Sequence, residues 1–114
     1  MDMTGINEEY IDVDSALKRI GGNMDLFKRL LGRFAEGTDF EKLTGALEGG
    51  DLEEAARLAH TIKGVSSNLS LNKIAAFSVQ LEHLIKNGEN YDECLSGMKQ
   101  AYETTLVKIT EIRG

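Results

Sequence analysis

The histidine at position 60 has neighbours that suit it for chemistry with an anionic group. Lys63 follows it by one helical turn, and Gly64 stands beside Lys63 in a stretch with helical periodicity. Glycine inside a helix costs roughly 1 kcal/mol relative to alanine, so its presence indicates that space near His60 matters more than local stability. At neutral pH an exposed imidazole is mostly neutral and nucleophilic, so it can attack phosphorus and hold a phosphoryl group. Lys63 would then balance the charge of the attached anion.

Two features of the sequence predict the helix that carries His60. They are a capping residue at its start and apolar residues at helical spacing. Asp51 can cap the first turn, and Glu54 three residues later completes an aspartate version of the capping box. The predicted buried seam recurs at intervals of three and four residues, as expected for a helix in a bundle. Its members are Leu52, Ala55, Ala59, Ile62, Ser66 and Leu69.

A rotation of about 100° per residue places this seam on the side of the helix opposite His60, so the imidazole is predicted to point outward. Three neighbours on the outer face, Ala56, Gly64 and Ser67, are small where longer side chains would favour the helix more. Small residues around an exposed imidazole allow the surface of another protein to approach closely. We therefore expect the histidine to react with a partner protein.

Apolar residues recur at helical spacing along the rest of the chain, which contains no proline. Asp12 and either Asn23 or Asp25 are predicted to begin two early helices, and Asn72 and Asn90 begin two helices after the one with His60. The predicted breaks lie at Gly21-Gly22, Gly37-Thr38-Asp39, Gly49-Gly50 and Gly88, although the helices on either side of Gly37 could instead form one element with a kink. The predicted fold class is all-α, an up-down antiparallel four-helix bundle with short additional N-terminal helices.

Length and charge restrict the classes of function. The chain has 114 residues, enough for one domain, which we place at residues 12–114 after a partly ordered N-terminal segment, residues 1–11. Its 19 acidic and 13 basic side chains give a net charge of -6, which argues against nucleic-acid binding. No apolar run is long enough for a membrane span and no secretory signal is visible, so we expect a cytoplasmic monomer without membrane contact.

The other reactive side chains suggest no second site. His83 is predicted to face solvent on the following helix, which disfavours a metal site shared with His60. Cys94 has no second cysteine to pair with, and with Met24 and Met98 it is expected to fill the core. The chain has no glycine-rich phosphate loop, so no nucleotide site is expected and phosphate would have to come from a partner.

The run His60-Thr61-Ile62-Lys63-Gly64, followed by Val65-Ser66-Ser67-Asn68-Leu69, resembles a known signalling family. It is similar to the histidine-containing phosphotransfer (Hpt) domains of multistep two-component phosphorelays. Weaker similarities extend the resemblance over roughly residues 12–113. The implied fold is a helical bundle, and the implied activity is that of a phosphocarrier without autokinase activity.

The resemblance also implies roles for single residues. His60 would be phosphorylated, Lys63 would be its electrostatic partner, and Gly64 would clear the approach. Glu82 would lie near the ring, where a carboxylate could orient an imidazole N–H yet would repel a phosphoryl group. Relatives often have glycine where Ser70 stands at the end of the motif helix, so the geometry of that turn is left open.

The partners that the resemblance implies are proteins. They are receiver domains of response regulators, which carry the acceptor aspartate and Mg²⁺, and an upstream sensor (hybrid) histidine kinase. The chain itself would bind no cofactor and no metal. Docking is expected over the face around His60, and the predicted docking residues are Ala56, Ser67, Ala75, Ser78, Val79, Glu82 and Ile20.

Two other functions stay open at this point. The chain could be a non-catalytic helical adaptor that docks a signalling partner without phosphoryl transfer. Binding that survives His60→Ala, with no transfer of phosphate, would favour that alternative. It could also be a metal-binding helical bundle, although few carboxylate and histidine pairs are predicted to point inward.

Overall fold

A computed structural model of the protein describes residues 9–114, in which six α-helices and no strand are found. They are α1 (Val13–Arg19), α2 (Met24–Glu36), α3 (Asp39–Glu48), α4 (Leu52–Asn68), α5 (Asn72–Lys86) and α6 (Asp92–Arg113). Helix α4 packs against α3 and α5, α6 packs against α5 and α2, and α1 contacts α2. The all-α class is confirmed for the described residues, while the exact division into four bundle helices and short extra helices stays a prediction.

Short polar side chains begin three of the helices at the predicted positions. Asp12, Asn23 and Asp51 each accept a hydrogen bond from the backbone N–H three residues later, at 3.0–3.1 Å. The predicted capping box at the start of α4 is incomplete, however. The carboxylate of Glu54 pairs with Arg57, and the backbone N–H of Asp51 donates to a carbonyl near the end of α3.

The starts of α5 and α6 lie slightly after the predicted caps. Leu71 rather than Asn72 occupies the N-cap position of α5, so the predicted cap is the first helical residue. Helix α6 begins at Asp92, whose backbone N–H donates to Oδ1 of Asn90 at 2.9 Å. Both loops are short, so α4, α5 and α6 are consecutive antiparallel neighbours.

The core is formed by apolar side chains from all six helices, with Phe27 of α2 its largest fully buried member. Tyr102 of α6 stacks between Phe34 of α2 and Phe40 of α3, with ring centroids 5.4 and 4.5 Å apart. This stack holds α2 and α3 against the last helix. The other fully buried large apolar side chains are Ile11, Leu31, Leu43, Ile62, Leu71, Ile74, Leu81, Met98 and Ile109.

Two residues that were predicted to be buried are exposed. Met24 was expected to fill the core, and Leu52 was expected to belong to the buried seam of α4. Each is the first residue of its helix, where fewer neighbouring side chains surround it than in the middle of the helix. Met98 and Cys94 are buried as predicted, and the Cys94 thiol donates to the carbonyl of Phe77.

The core includes the end of the N-terminal segment that was predicted to be partly ordered. Residues 1–8 of the segment expected to be partly ordered lie outside the described residues. Ile11, the last residue of that segment, is fully buried in the core. Its neighbours pair with the α4–α5 turn, since Asp12 N–H donates to the carbonyl of Ser70 and Tyr10 accepts from Asn72 N–H. The end of this segment therefore packs on the domain predicted at residues 12–114, and the bounds of that domain stay a prediction.

Helix α4 ends in a Schellman motif that has serine at the position usually taken by glycine. The backbone N–H of Leu71 donates to the carbonyl of Ser66 at 2.8 Å, and that of Ser70 donates to Ser67 at 3.1 Å. Ser70 has a φ of 56°, in the left-handed region. Glycine adopts this conformation without steric cost, which explains why glycine would suit the position. The turn left open by the sequence therefore keeps the glycine-type geometry.

Arg19 of α1 stabilises this turn from the side. Its Nη1 donates to the carbonyls of Ser67 and Asn68 at 3.0 Å and to Oγ of Ser70 at 2.6 Å. Its Nη2 donates to Oγ of Ser15. A cation at the C-terminus of a helix also complements the helix dipole. Arg19 therefore ties α1 to the end of the helix that carries His60.

Replacing Arg19 by methionine is expected to lower the free energy of unfolding by about 1–2 kcal/mol, because several acceptors at the end of α4 lose their charged donor. Urea denaturation would measure the change. The matched control is Arg29→Met, an exposed arginine on α2, which should stay within about 0.5 kcal/mol of the wild type. Equal losses in the two variants would contradict a specific role for Arg19.

Candidate functional site

His60 lies in the middle of α4 and points away from the core, as the helical periodicity predicts. Its side chain is 66% exposed. Ala59 and Ile62, on the opposite side of the helix, are buried against the neighbouring helices. A partner can therefore reach the imidazole without any rearrangement of the core.

Glu82 of α5 holds one nitrogen of the imidazole. Its Oε1 lies 3.2 Å from Nδ1 of His60, and its Oε2 lies 2.8 Å from Nζ of Lys86. The hydrogen bond from Lys86 and, less strongly, that from His60 keep the pKa of the Glu82 carboxyl below its ordinary value, although partial burial acts in the opposite sense. The carboxylate is therefore ionised at neutral pH and is only 16% exposed.

This contact selects the tautomer of the neutral imidazole. An ionised carboxylate can only accept hydrogen bonds, so the ring proton must lie on Nδ1 when the two groups are bonded. The lone pair then lies on Nε2. Because Nδ1 is held by the carboxylate, Nε2 is the ring nitrogen of His60 whose lone pair is available to a partner.

Gly64 and Lys63 lie one helical turn along α4 from the imidazole. Apart from its chain neighbours and the backbone of its own helix, a Cβ placed on Gly64 would meet no heavy atom within 4 Å. Packing among the described residues therefore gives no reason for a glycine here, which agrees with a need for external clearance. Lys63 is partly exposed and lies at the i+3 position, where its ammonium group can approach a group attached to the ring.

A shallow groove runs beside His60 between α4 and α5. One end of the groove is formed by the exposed side chain of Leu52, which sequence reasoning had placed in the core. The groove is lined by Leu52, Glu53, Ala56, Arg57, His60, Glu82, Ile85 and Lys86. It offers both apolar and charged contacts within reach of the imidazole.

The predicted docking residues differ in how much surface they offer. Val79 and Ser67 are exposed, and Ala75 and Ile20 are partly exposed. Ala56 is almost buried, yet it lines the groove beside His60. Their role in docking stays a prediction.

Ser78 was predicted to belong to the docking surface, but the structure places it in the core. Its side chain is fully buried, and its hydroxyl donates to the carbonyl of Ile74 at 2.7 Å. Serine is small enough to lie where α5 packs closely on its neighbours, and its polar group is satisfied within its own helix. It therefore cannot contact a partner directly.

Other features that could mark a site are a metal-binding cluster, the second histidine and a membrane-spanning helix. Within residues 9–114 no cluster of three or more His, Cys, Asp or Glu side chains has the arrangement to hold a metal ion. His83 is exposed and contacts Asn87, the C-cap residue of its helix. No helix among those described has the length and apolar character that crossing a bilayer requires.

Sequence reasoning missed two contributors to the site, Lys86 and Leu52. Lys86 could have been found from its i+4 spacing to Glu82, which favours an ion pair on one helix face. No pattern in the sequence indicates that Leu52 lines the groove, because its spacing fits the buried seam of α4. Arg19 was missed as well, since it meets residues 48 to 51 positions away in the chain.

An exposed histidine held by a carboxylate on an all-helical scaffold suits a phosphocarrier. Comparison with family models agrees, since the model described as Hpt domain matches residues 35–106. The chain therefore belongs to the Hpt domain family, whose members are phosphocarrier modules that interact with receiver domains and kinases in phosphorelays. The match includes α3, α4, α5 and most of α6. Comparison with curated proteins and with solved structures found no match.

Proposed function

We propose that His60 accepts a phosphoryl group from the aspartyl phosphate of a receiver domain, or from an upstream kinase, and donates it to the aspartate of another receiver domain. The observation that carries the proposal is the arrangement of the imidazole. Its Nδ1 is held by Glu82 at 3.2 Å while the ring remains 66% exposed. Membership of the Hpt family supports the same reaction class.

The chemical step needs little from this chain beyond a positioned nucleophile. The lone pair of Nε2 attacks phosphorus, an N–P bond forms, and the P–O bond to the receiver aspartate breaks. The electron pair of that bond leaves with the aspartate carboxylate. Nδ1 keeps its proton, so the phosphorylated ring carries a positive charge that the Glu82 carboxylate stabilises. Donation to a second aspartate follows the same path in reverse.

Neighbouring residues assist in two ways. Lys63 offsets negative charge on the incoming phosphoryl group, and Gly64 leaves room for the receiver domain. Mg²⁺ would be held by the partner, which would dock over the face that includes Ala56, Ser67 and Val79 and bring its aspartate to the imidazole. We infer that α4, α5 and α6 are three helices of a four-helix bundle and that α2 and α3 together occupy the position of the fourth helix.

The direct experiment incubates the wild-type protein with a receiver domain carrying a ³²P-labelled aspartyl phosphate in the presence of Mg²⁺. We expect label to appear on this chain in a linkage that is labile in acid and stable in alkali, as a phosphoramidate is. Failure to acquire label from any receiver domain that binds the chain would favour the adaptor function instead. A linkage stable in acid would place the phosphate on a hydroxyl group and contradict the proposal.

A further inference from the structure

The carboxylate of Glu82 contacts His60 through one oxygen and Lys86 through the other. Oε1 of Glu82 faces Nδ1 of His60 at 3.2 Å, and Oε2 faces Nζ of Lys86 at 2.8 Å. The two charged residues lie at i and i+4 on α5, the spacing at which such pairs meet on a helix. Glu82 is mostly buried, whereas Lys86 is 62% exposed. Lys86, Glu82 and His60 thus form a continuous chain across the α4–α5 groove.

The position of Glu82 presents an electrostatic conflict for a phosphocarrier. Its negative charge stabilises a positively charged ring, yet it also repels the phosphoryl group that the ring carries. An ammonium group on the far oxygen reduces the net charge of the pair without removing the acceptor from Nδ1. The same contact restricts rotation of the carboxylate, so that Oε1 stays directed at the imidazole.

We propose that Lys86 is a positioning residue for phosphoryl transfer, which acts on His60 through Glu82 by fixing the carboxylate and offsetting its charge. The proposal rests on the phosphocarrier function proposed for His60. It assigns Lys86 no contact with the phosphoryl group itself. The effect should therefore depend on the carboxylate of Glu82.

The experiment measures how ³²P distributes at equilibrium between a receiver domain and this chain. Lys86→Met is expected to shift the distribution away from His60 by about two- to fivefold, the range set by the energy of one partly exposed ion pair. Lys86→Arg should restore the wild-type distribution, because a guanidinium can keep the bond to Oε2. The matched control is Lys99→Met, an exposed lysine on α6, which should leave the distribution unchanged.

A double-mutant cycle separates action through Glu82 from direct action. In a Glu82→Gln background, Lys86→Met should have no further effect on the distribution. A full effect in that background would mean that Lys86 acts directly on the phosphoryl group, and no effect in the wild-type background would mean that it does not act at all. Either result overturns the inference while the wild type still takes up label. An unlabelled wild type would instead overturn the proposed function, and the inference with it.

Discussion

Replacing His60 by glutamine is expected to abolish the uptake of phosphoryl groups while the fold remains intact. Glutamine retains a polar side chain that can donate to Glu82, but its amide nitrogen has no lone pair available for attack on phosphorus. Because the imidazole is largely exposed, the free energy of unfolding should change by no more than about 0.5 kcal/mol. Transfer of ³²P from a phosphorylated receiver domain would measure the loss, and urea denaturation would measure the stability.

The chain supplies a matched control for this substitution, since His83 is the other histidine and is also exposed. His83→Gln should take up label at the wild-type rate. Undiminished labelling of His60→Gln together with loss of labelling in His83→Gln would show that the wrong histidine has been assigned. If both variants were labelled, the phosphate would lie on another type of side chain.

Replacing Gly64 by glutamine is expected to have opposite effects on stability and on transfer. Glutamine favours a helix over glycine by roughly 0.5–1 kcal/mol, and the added Cβ meets no heavy atom within 4 Å apart from its chain neighbours and the backbone of its own helix. The variant should therefore unfold at a higher urea concentration. Transfer should slow by about ten- to a hundredfold, because a long side chain beside His60 displaces the receiver domain from its reactive position.

Gly45 provides the control for this prediction. It is an exposed residue in the interior of α3, and a Cβ placed there also meets no heavy atom within 4 Å apart from its chain neighbours and the backbone of its own helix. Gly45→Gln should therefore give a similar gain in stability without slowing transfer. A rate for Gly64→Gln equal to that of Gly45→Gln would refute the idea that Gly64 leaves space for a partner.

Much of the site could be predicted because it follows from local spacing. The Asp51 cap and the recurrence of Ala55, Ala59 and Ile62 define α4 and its buried side, and the outward direction of His60 follows from the same periodicity. Local spacing could not show how α5 is rotated against α4. For that reason Ser78 was placed on the surface although it packs in the core.

Sequence patterns could not predict the contacts between distant parts of the chain. Arg19 reaches the end of α4 across about fifty residues, and its bonds depend on where α1 packs. The contact of Glu82 with Nδ1 of His60 depends on the register between two helices. The family resemblance indicated that Glu82 lies near the ring, but only the geometry identifies which nitrogen it holds and which oxygen is left for Lys86.

The most direct test of this account is to locate the phosphorus atom on the protein. NMR of ¹⁵N-histidine-labelled protein, phosphorylated by a receiver domain, would report coupling between ³¹P and the imidazole nitrogens. We predict that Nε2 of His60 carries the phosphorus and that Nδ1 keeps its proton on the side of Glu82. Phosphorus on Nδ1 of His60, or on His83, would contradict the account.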